Sequence, residues 1–286
     1  MARRHGGAVA VTTHSAGTAV SCTLAVRRKT VMAMKVMNAL VRMLLIAVLG
    51  YSASANASAQ DRVDEPPELY RVSTLRAAPG ALVDVLALYA DAAAAGHWQG
   101  LGDAEPMLMR HSQGDQWDVL VLQPLGSYAD YYARKRVTQR DAAGEAAFRQ
   151  ALNKLVVFRE DLFAYGPPRE QVQAAYAGNG FFHVEMFAAL AGKHDALLQQ
   201  RHMENTYLRA INSRPNLIWV GDQGSDVDVF TIGFYPSIVE FAAPAPVTAE
   251  QAEAAAKASG FEGRAFIGTY LRELLQSHHD TLAVKP

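Results

Sequence analysis

Cysteine is almost absent from this sequence, and its one occurrence lies near the start. Of the 286 residues only Cys22 carries a thiol. Without residues 1–59 the chain has no disulfide, no cysteine nucleophile and no cysteine metal ligand. Its stability must then come from a packed core, and the 227 residues that follow position 59 are enough for one or two small domains.

Acidic side chains are also missing from the start of the chain. No Asp or Glu occurs before Asp61, whereas seven Lys and Arg residues do. A basic stretch begins at Met34 and is followed by a short apolar run, residues 43–49, and by small residues that end in Ala57-Ser58-Ala59. This order is typical of a secretory signal peptide with an A-x-A cleavage site, here before Gln60.

Residues 1–59 are therefore predicted to be an N-terminal extension with a signal peptide, which makes the mature protein periplasmic or secreted. A long hydrophobic run is lacking as well, because the apolar segment is shorter than the roughly 20 residues that a membrane-spanning helix needs. We expect no stable membrane insertion once the signal is cleaved. An uncleaved anchor is the alternative.

Excess positive charge is absent from the predicted mature chain. The whole chain has 27 Lys and Arg, and removal of the seven in positions 1–59 leaves 20 against 28 acidic residues, a formal charge of −8. Binding to nucleic acid depends on cationic side chains that neutralise phosphates. The sequence has no basic stripe interleaved with aromatic residues, so a nucleic acid is not an expected partner.

Several catalytic motifs are absent too. The sequence contains no G-x-S-x-G elbow, no glycine-rich phosphate loop and no dinucleotide fingerprint. It also lacks the H-x-x-x-H and H-E-x-x-H spacings of helical metal sites. These absences argue against hydrolases of the nucleophile-elbow type, nucleotide-dependent enzymes and zincin-like metalloenzymes.

The most informative feature that is present is an internal repeat. The turn from Gln113 to Val119 matches the turn from Gln223 to Val229 in a shared Q-G-x-x-x-D-V pattern. We predict one copy in residues 60–168, a linker in 169–180 and a second copy in 181–286. The first copy is predicted to begin with a strand at residues 69–75, a helix at 81–95 and a hairpin formed by 106–110 and 117–123. It is predicted to end with helices at 127–135 and 141–158 and a strand at 161–165.

This order of elements is β-α-β-β-α-β, the ferredoxin-like unit. Such a unit leaves one sheet face bare, and a bare apolar face must be covered. The predicted class is α+β, with two tandem ferredoxin-like repeats whose bare faces pack together as a pseudo-dimeric barrel around a cavity.

On this repeat and its turn glycines, residues 69–283 resemble the dimeric α+β barrel superfamily. That superfamily includes antibiotic-biosynthesis-type monooxygenases, NIPSNAP-like proteins and haem-binding relatives of chlorite dismutase. The resemblance implies the barrel, a small-molecule partner and a homodimer as an oligomeric option. No catalytic motif of a named member is matched, so no residue role is carried over.

The strand at residues 181–187 supplies the candidate catalytic pair. Strand alternation puts Phe182, Val184 and Met186 on one face, which we expect to meet the helices. His183 and Glu185 then point to the other face, into the expected cavity, where they act as a proton-transfer pair. The alternative is that the two side chains satisfy each other or lie at a wet barrel mouth.

The following helix and hairpin supply candidate substrate contacts. Arg201 and Asn205 fall on the predicted sheet-facing stripe of the helix, where an oxygen of a substrate is held. The aromatic candidates are Tyr207, Trp219 and Tyr235, as walls of the cavity. A solvated, salt-bridged helix face is the alternative for the helical residues, and core packing is the alternative for the aromatic ones.

A cofactor is not expected, although two alternatives stay open. His278-His279-Asp280 lies where the last helix meets the last strand, a position in which histidines are favoured by the helix dipole without any function. Together with His183, Glu185 and Asp228 it offers nitrogen and oxygen ligands for a transition metal. An axial haem ligand is the other alternative, with His183, His202 and His278 as candidates.

Three functions are compatible with these features. The first is cofactor-independent, monooxygenase-like chemistry on an electron-rich aromatic, for which the family resemblance is the reason. The second is a ligand-binding or stress-response module without turnover. The third is a structural protein whose bare sheet faces serve homo-oligomerisation and enclose no cavity. The sequence leaves open whether the protein is an enzyme.

Overall fold

The computed structural model describes residues 67–286, so the predicted extension and signal peptide lie outside the described residues. The first half contains β1 (Glu68–Ala77), α1 (Leu82–Ala94), α2 (His97–Leu101), β2 (Met107–Gln113), β3 (Val119–Gly126), α3 (Tyr128–Tyr131), α4 (Arg134–Gln139), α5 (Ala142–Leu155) and β4 (Val156–Gly166). The second half contains α6 (Arg169–Ala177), β5 (Phe181–Ala189), α7 (His194–Ala210), β6 (Leu217–Gln223), β7 (Val229–Tyr235), α8 (Ile238–Ala242), α9 (Ala249–Ala258), α10 (Phe266–Arg272) and β8 (Leu275–Val284).

The strands close into a barrel in the order β1-β3-β2-β8-β5-β7-β6-β4, and each neighbouring pair is antiparallel. The first half contributes the consecutive strands β4-β1-β3-β2, and the second half contributes β8-β5-β7-β6. The two halves join at the seams β2–β8 and β4–β6. Closure leaves no free sheet edge on the barrel. The predicted α+β class with a strand barrel is confirmed.

The interior of the barrel is packed with apolar side chains from both halves. Tyr70 of β1 meets Trp219 of β6 edge to face at 5.8 Å, and Trp219 stacks on Phe230 at 4.9 Å. The same cluster includes Val72, Met107, Met109, Trp117, Leu120, Leu122, Leu162, Phe182, Val184, Met186, Ile232 and Phe234. The expected central cavity is therefore a core.

This packing overturns the predicted orientation of β5. Phe182, Val184 and Met186 face the barrel interior, and the prediction that they face the helices is wrong. The physical reason is that the most apolar face is buried where the two halves meet, since this interior is the driest part of the fold. His183 and Glu185 consequently lie on the outer face, beneath the helices.

Helices cover the outer faces of both halves and form separate apolar clusters there. On the first half Leu75 packs with Val85, Tyr89 and Leu152. On the second half Phe187 packs with Leu197 of α7 and with Leu271 and Leu274 from the chain around α10. None of the helices in residues 67–286 combines the length and the apolar character needed to cross a membrane.

Two turn glycines allow the seams to close. Gly114, at φ +114°, lies so close to β8 that a Cβ there would be 2.1 Å from the Asp280 carbonyl oxygen. Gly224, at φ +99°, has the matching position against β4, 2.2 Å from the Asp161 carbonyl oxygen. Positive φ and close backbone approach both favour glycine. The turns of the Q-G-x-x-x-D-V pattern therefore bring each half against the last strand of the other.

The predicted linker, residues 169–180, contains a helix that packs against the barrel core. Val172 of α6 is fully buried in the interior cluster. The Tyr176 hydroxyl donates to the carbonyl oxygen of Leu108 at 2.7 Å, and its ring stacks on Phe182 at 5.5 Å. The segment was predicted only to connect the two copies, whereas in the structure it also contributes side chains to the barrel core.

Candidate functional site

An ionic cluster lies on the outer face of the second half, built by the register of three strands. Glu185 of β5 is opposite Thr231 of β7 on one side and opposite Asp280 of β8 on the other. Phe187 is opposite His278 in the same ladder. Two like charges directly across a sheet destabilise each other. The pair Glu185–Asp280 therefore needs cations beside it.

Arg201 of α7 and His278 of β8 supply the positive charge. Arg201 is 2% exposed, and its Nη1 lies 3.6 Å from Glu185 Oε2. The His278 Nε2 atom lies 3.8 Å from Glu185 Oε1 and 3.2 Å from Asp280 Oδ1. The Thr231 hydroxyl also donates to Glu185 Oε2, at 3.0 Å. The buried Glu185 carboxylate is therefore stabilised by Arg201 and Thr231 at Oε2 and by His278 at Oε1.

The aromatic ring of Phe187 holds both cations in place. The His278 ring stacks on it at 4.9 Å with an interplanar angle of 3°. The Arg201 guanidinium lies 4.7 Å from the centre of the same ring. Arg201 also donates to Gln200 at 2.7 Å and to Glu204. These contacts fix the Arg201 side chain, so the cluster is preorganised before any ligand arrives.

The cluster shifts the protonation of its members. Burial alone would raise the pKa of Glu185, but the nearby His278 imidazole and the Arg201 charge outweigh it and lower that pKa. Contacts with Asp280 and then Glu185 raise the pKa of His278 to about 9. The His183 and then the His278 imidazole, both close to the carboxylate, lower the pKa of Asp280. At neutral pH the two carboxylates are ionised and His278 is protonated.

His183 lies at the solvent side of the cluster. Its Nε2 atom is 3.4 Å from Asp280 Oδ1, and 22% of its side chain is exposed. Its ring packs against Phe241 of α8 at 5.2 Å, and Phe241 contacts Tyr235 edge to face at 5.2 Å. Burial, followed by the Glu185 charge, raises the pKa of Tyr235, so its hydroxyl stays protonated. His183 thus lies within reach of solvent, between a carboxylate and an aromatic wall.

The structure brings together some of the predicted site residues and not others. His183, Glu185, Arg201 and Tyr235 lie on one outer face. Asn205 is buried beside them, but its amide caps the backbone of Asn216 with bonds of 2.7 and 2.8 Å, which is a structural role. Tyr207 and Trp219, two further predicted substrate contacts, lie outside this outer-face cluster.

Core packing accounts for these two aromatic residues. Tyr207 of α7 packs towards α9, in a cluster with Ile211, Ala252, Ala256 and Phe261. Trp219 is fully buried in the barrel interior. Sequence reasoning also missed Phe241 and Thr231 as neighbours of the pair. Strand register sets the position of Thr231 and the packing of α8 sets that of Phe241, and no local pattern in the sequence encodes either one.

Metal ligation is compatible with the donor set, whereas haem ligation by His183 or His278 is not. Ligand atoms of His183, Glu185 and Asp280 lie within 4.8 Å of one another, and His278 is adjacent. For haem the arrangement does not fit, because the Nε2 atoms of both histidines face carboxylates and the His278 ring face is covered by Phe187. Asp228, the other predicted ligand, instead accepts a backbone bond from Ala189 at 2.7 Å.

The closed barrel with outer helices is similar to the folds of several solved structures. An anthrone oxidase-like protein superposes with a TM-score of 0.53 at 10% identity, over 78% of this chain and 92% of the other. A protein provisionally assigned as a monooxygenase from Lactobacillus acidophilus gives 0.46 at 8% identity, over 77% and 94%. A variant chlorite dismutase from Candidatus Nitrospira defluvii gives 0.43 at 12% identity, over 78% and 94%.

At these identities the structural likeness defines the fold alone. No protein-family model matches the chain, and no curated protein sequence matches it. The chemistry of the protein must therefore be argued from its own side chains.

Proposed function

We propose that the protein is an exported enzyme with monooxygenase-like chemistry, acting on a small electron-rich aromatic at the outer face of its second half. The observation that carries this proposal is the contact of His183, which solvent can reach, with the ionised Asp280 above a buried ion network. Export rests on the sequence of residues 1–59. We also propose that the two halves are tandem ferredoxin-like repeats, which their equivalent strand orders support.

In this proposal His183 is the general base. A carboxylate that accepts from Nε2–H selects the tautomer in which Nδ1 is free to take a proton. Asp280 therefore orients His183, and Glu185 with Arg201 and His278 holds Asp280 in position. Proton removal gives an electron-rich anion that reacts with dioxygen, and the protonated Tyr235 hydroxyl donates to its oxygen. Glu185 thus becomes a positioning residue, although the sequence predicted a catalytic one.

The fold neighbour suggests anthrone as the first probe. In its oxidation the substrate gains one oxygen atom of dioxygen and loses two hydrogen atoms, which leave with the second oxygen as water. We expect oxygen uptake with the mature protein, residues 60–286, and a loss of at least about 100-fold in kcat/KM for His183→Ala, as for removal of a general base. His279→Ala is the matched control, because His279 is exposed at 54%.

Two results would contradict the enzymatic proposal. Unchanged turnover in His183→Ala would remove this residue from the reaction. Saturable binding of anthrone without any oxygen uptake would instead favour the alternative of a ligand-binding module without turnover.

A divalent metal site is a second candidate function, favoured by the convergence of His183, Glu185 and Asp280. Two imidazole nitrogens with carboxylate oxygens suit Zn, Mn or Fe. Binding would require His278 to lose its proton before it could ligate. Titration of metal-free protein with ZnCl₂ by calorimetry tests this candidate. Stoichiometric binding that His183→Ala abolishes supports it, whereas no heat at neutral pH rules it out.

A further inference from the structure

A separate cavity of about 110 Å³ lies on the outer face of the first half, between the sheet and the helices. Its floor is formed by outward side chains of β1, β3 and β4, including Arg71, Ser73 and Gln123. Its walls come from α1, α2 and α5. It therefore occupies the position in the first half that the ionic cluster occupies in the second, but its chemistry is different.

Positive charge dominates the lining of this cavity. Five arginines contribute to it, and they are Arg71, Arg136, Arg140, Arg149 and Arg159. Three of them form ion pairs with carboxylates. Arg136 pairs with Asp103 at 2.5 Å, Arg140 pairs with Glu145 at 2.8 Å, and Arg159 pairs with Asp161 at 2.8 Å.

Arg71 and Arg149 are the two arginines that remain uncompensated. Within residues 67–286 no carboxylate forms an ion pair with either of them. Arg71 donates instead to the neutral amide oxygen of Gln123. The cavity thus has a surplus of two positive charges in a chain whose predicted mature part is acidic, and such a site attracts an anion.

A ring nitrogen without a hydrogen-bond partner lies at the same cavity. The Nε2 atom of His97 is buried and has no hydrogen-bond partner among the described residues. Its ring is fixed by Phe148, stacked at 4.9 Å, and by Trp98, edge to face at 4.7 Å. A buried polar atom without a partner costs free energy unless a ligand or a water satisfies it.

The remaining wall of the cavity is aromatic. Trp98 and Phe148 meet edge to face at 5.3 Å, and Tyr89 stacks on Trp98 at 6.0 Å. Burial raises the pKa of Tyr89 to about 12, so this side chain adds no negative charge. An aromatic wall beside a guanidinium suits a flat ring that carries a carboxylate, because arginine pairs with carboxylates through two parallel hydrogen bonds.

We propose that this cavity is a binding site for a monocyclic aromatic carboxylate. The carboxylate lies on Arg71, with His97 as a further donor, and the ring lies against Trp98 and Phe148. The volume favours one ring, because pockets for larger ligands span about 300–1,000 Å³. The site is independent of the histidine–carboxylate cluster of the second half.

Calorimetry with benzoate as the probe tests the proposal on the mature protein. We expect saturable binding of benzoate, and binding at least 10-fold weaker for benzamide, which lacks the charge, and for cyclohexanecarboxylate, which lacks the flat ring. We expect Arg71→Gln to weaken benzoate binding at least 10-fold. Arg134→Gln, an exposed arginine outside the cavity, is the matched control and should bind as the wild type does.

Further variants keep the test decisive. If Arg71→Gln lowers the thermal midpoint of unfolding, the test is made with Arg149→Gln, because Arg149 is exposed. We expect this substitution to weaken benzoate binding at least threefold. Glu185→Gln should leave benzoate binding unchanged, which separates this site from the proposed enzyme site. Absence of benzoate binding, binding of inorganic phosphate as tight as that of benzoate, or full binding by both arginine variants would overturn the proposal.

Discussion

Arg201 is the residue on which the buried charge of the second half depends. It is nearly inaccessible and contacts both Glu185 and Glu204. Burial, the largest influence, raises the pKa of Glu204, and the Arg201 charge opposes that shift. Removal of Arg201 would leave the buried Glu185 with His278 as its remaining cation and would leave the half-buried Glu204 without this ion pair, which is more costly than the loss of a surface pair.

We predict that Arg201→Met lowers the free energy of unfolding by about 3 to 5 kcal/mol, as measured by urea denaturation. The exposed pair Lys257–Glu253, at 3.2 Å, provides the comparison. Lys257→Met should cost less than about 0.5 kcal/mol because such pairs are screened by solvent. Adding Glu185→Gln to Arg201→Met should recover part of the loss. Equal costs for Arg201→Met and Lys257→Met would show that Glu185 does not depend on Arg201.

His278 gives the stability of the protein a defined pH dependence. Asp280 and Glu185 raise its pKa from 6.5 to about 9, so the folded state binds its proton more tightly than the unfolded state. The stabilisation is therefore complete below pH 6.5 and is lost as the pH rises through about 9.

For metal-free protein we predict a decline of about 1 to 2 kcal/mol over this range, since the exposed side of Asp280 screens the interaction. His183, Arg201 and Glu204 also face the cluster, so the comparison must be made between variants. His278→Gln should flatten the decline, and His279→Gln should retain it. The measurement is the free energy of unfolding at several pH values. A decline that persists in His278→Gln would assign it to another group.

At the scale of elements, the two glycine turns decide whether the barrel closes. Gly224 combines a positive φ with backbone contact to β4, whereas Gly192, at φ +77°, has nothing within 4 Å of the position of a Cβ. An alanine at Gly192 therefore measures the cost of the left-handed conformation alone. An alanine at Gly224 adds the cost of the steric clash between its Cβ and the backbone of β4.

We predict that Gly192→Ala costs about 1 to 2 kcal/mol, which is the penalty for a left-handed alanine. Gly224→Ala should cost at least about 2 kcal/mol more, because the seam between β4 and β6 must also move apart. Chemical denaturation measures both variants. If they cost the same, the contact of the turn with Asp161 does not limit closure.

The elements themselves were largely predictable from the sequence, but their orientation was not. Alternation on β5 correctly put Phe182 and His183 on opposite faces, and the glycines and prolines marked the ends of strands and helices. The face that meets the other half is set by which surface is more apolar over the whole barrel, and a single strand does not reveal this. Strand β4 begins at Val156, inside the predicted helix 141–158, because an apolar run fits either period.

The candidate site was predictable only in part for the same reason. His183 and Glu185 could be found because charged residues are unusual on a strand with buried neighbours. His278 joins them through the pairing of β5 with β8, which lie about 90 residues apart in the chain. The arginine cavity escaped notice because Arg71 and Arg159 look like ordinary surface residues until the strands place them under helices.

At the scale of the whole molecule, the two halves share one core. The contact of Tyr70 with Trp219 crosses from the first half to the second, and both side chains are fully buried. Separated halves would each expose this apolar sheet face, together with the edge strands that now pair at the seams β2–β8 and β4–β6. The filled interior agrees with the part of the third hypothesis that expects no cavity in the barrel, whereas the sheet faces that it assigns to homo-oligomerisation are buried within one chain.

We predict that fragments 60–180 and 181–286 do not fold alone as monomers but form the barrel when they are mixed. Each fragment alone should lack a cooperative thermal transition, and mixing should restore one, because the interior cluster needs side chains from both. Tryptophan fluorescence reports the association directly, since Trp219 regains its packing against Tyr70. Self-association of one fragment would reflect the same exposed face. A fragment that is monomeric and unfolds cooperatively would show that a half has its own sufficient core, which would contradict the prediction.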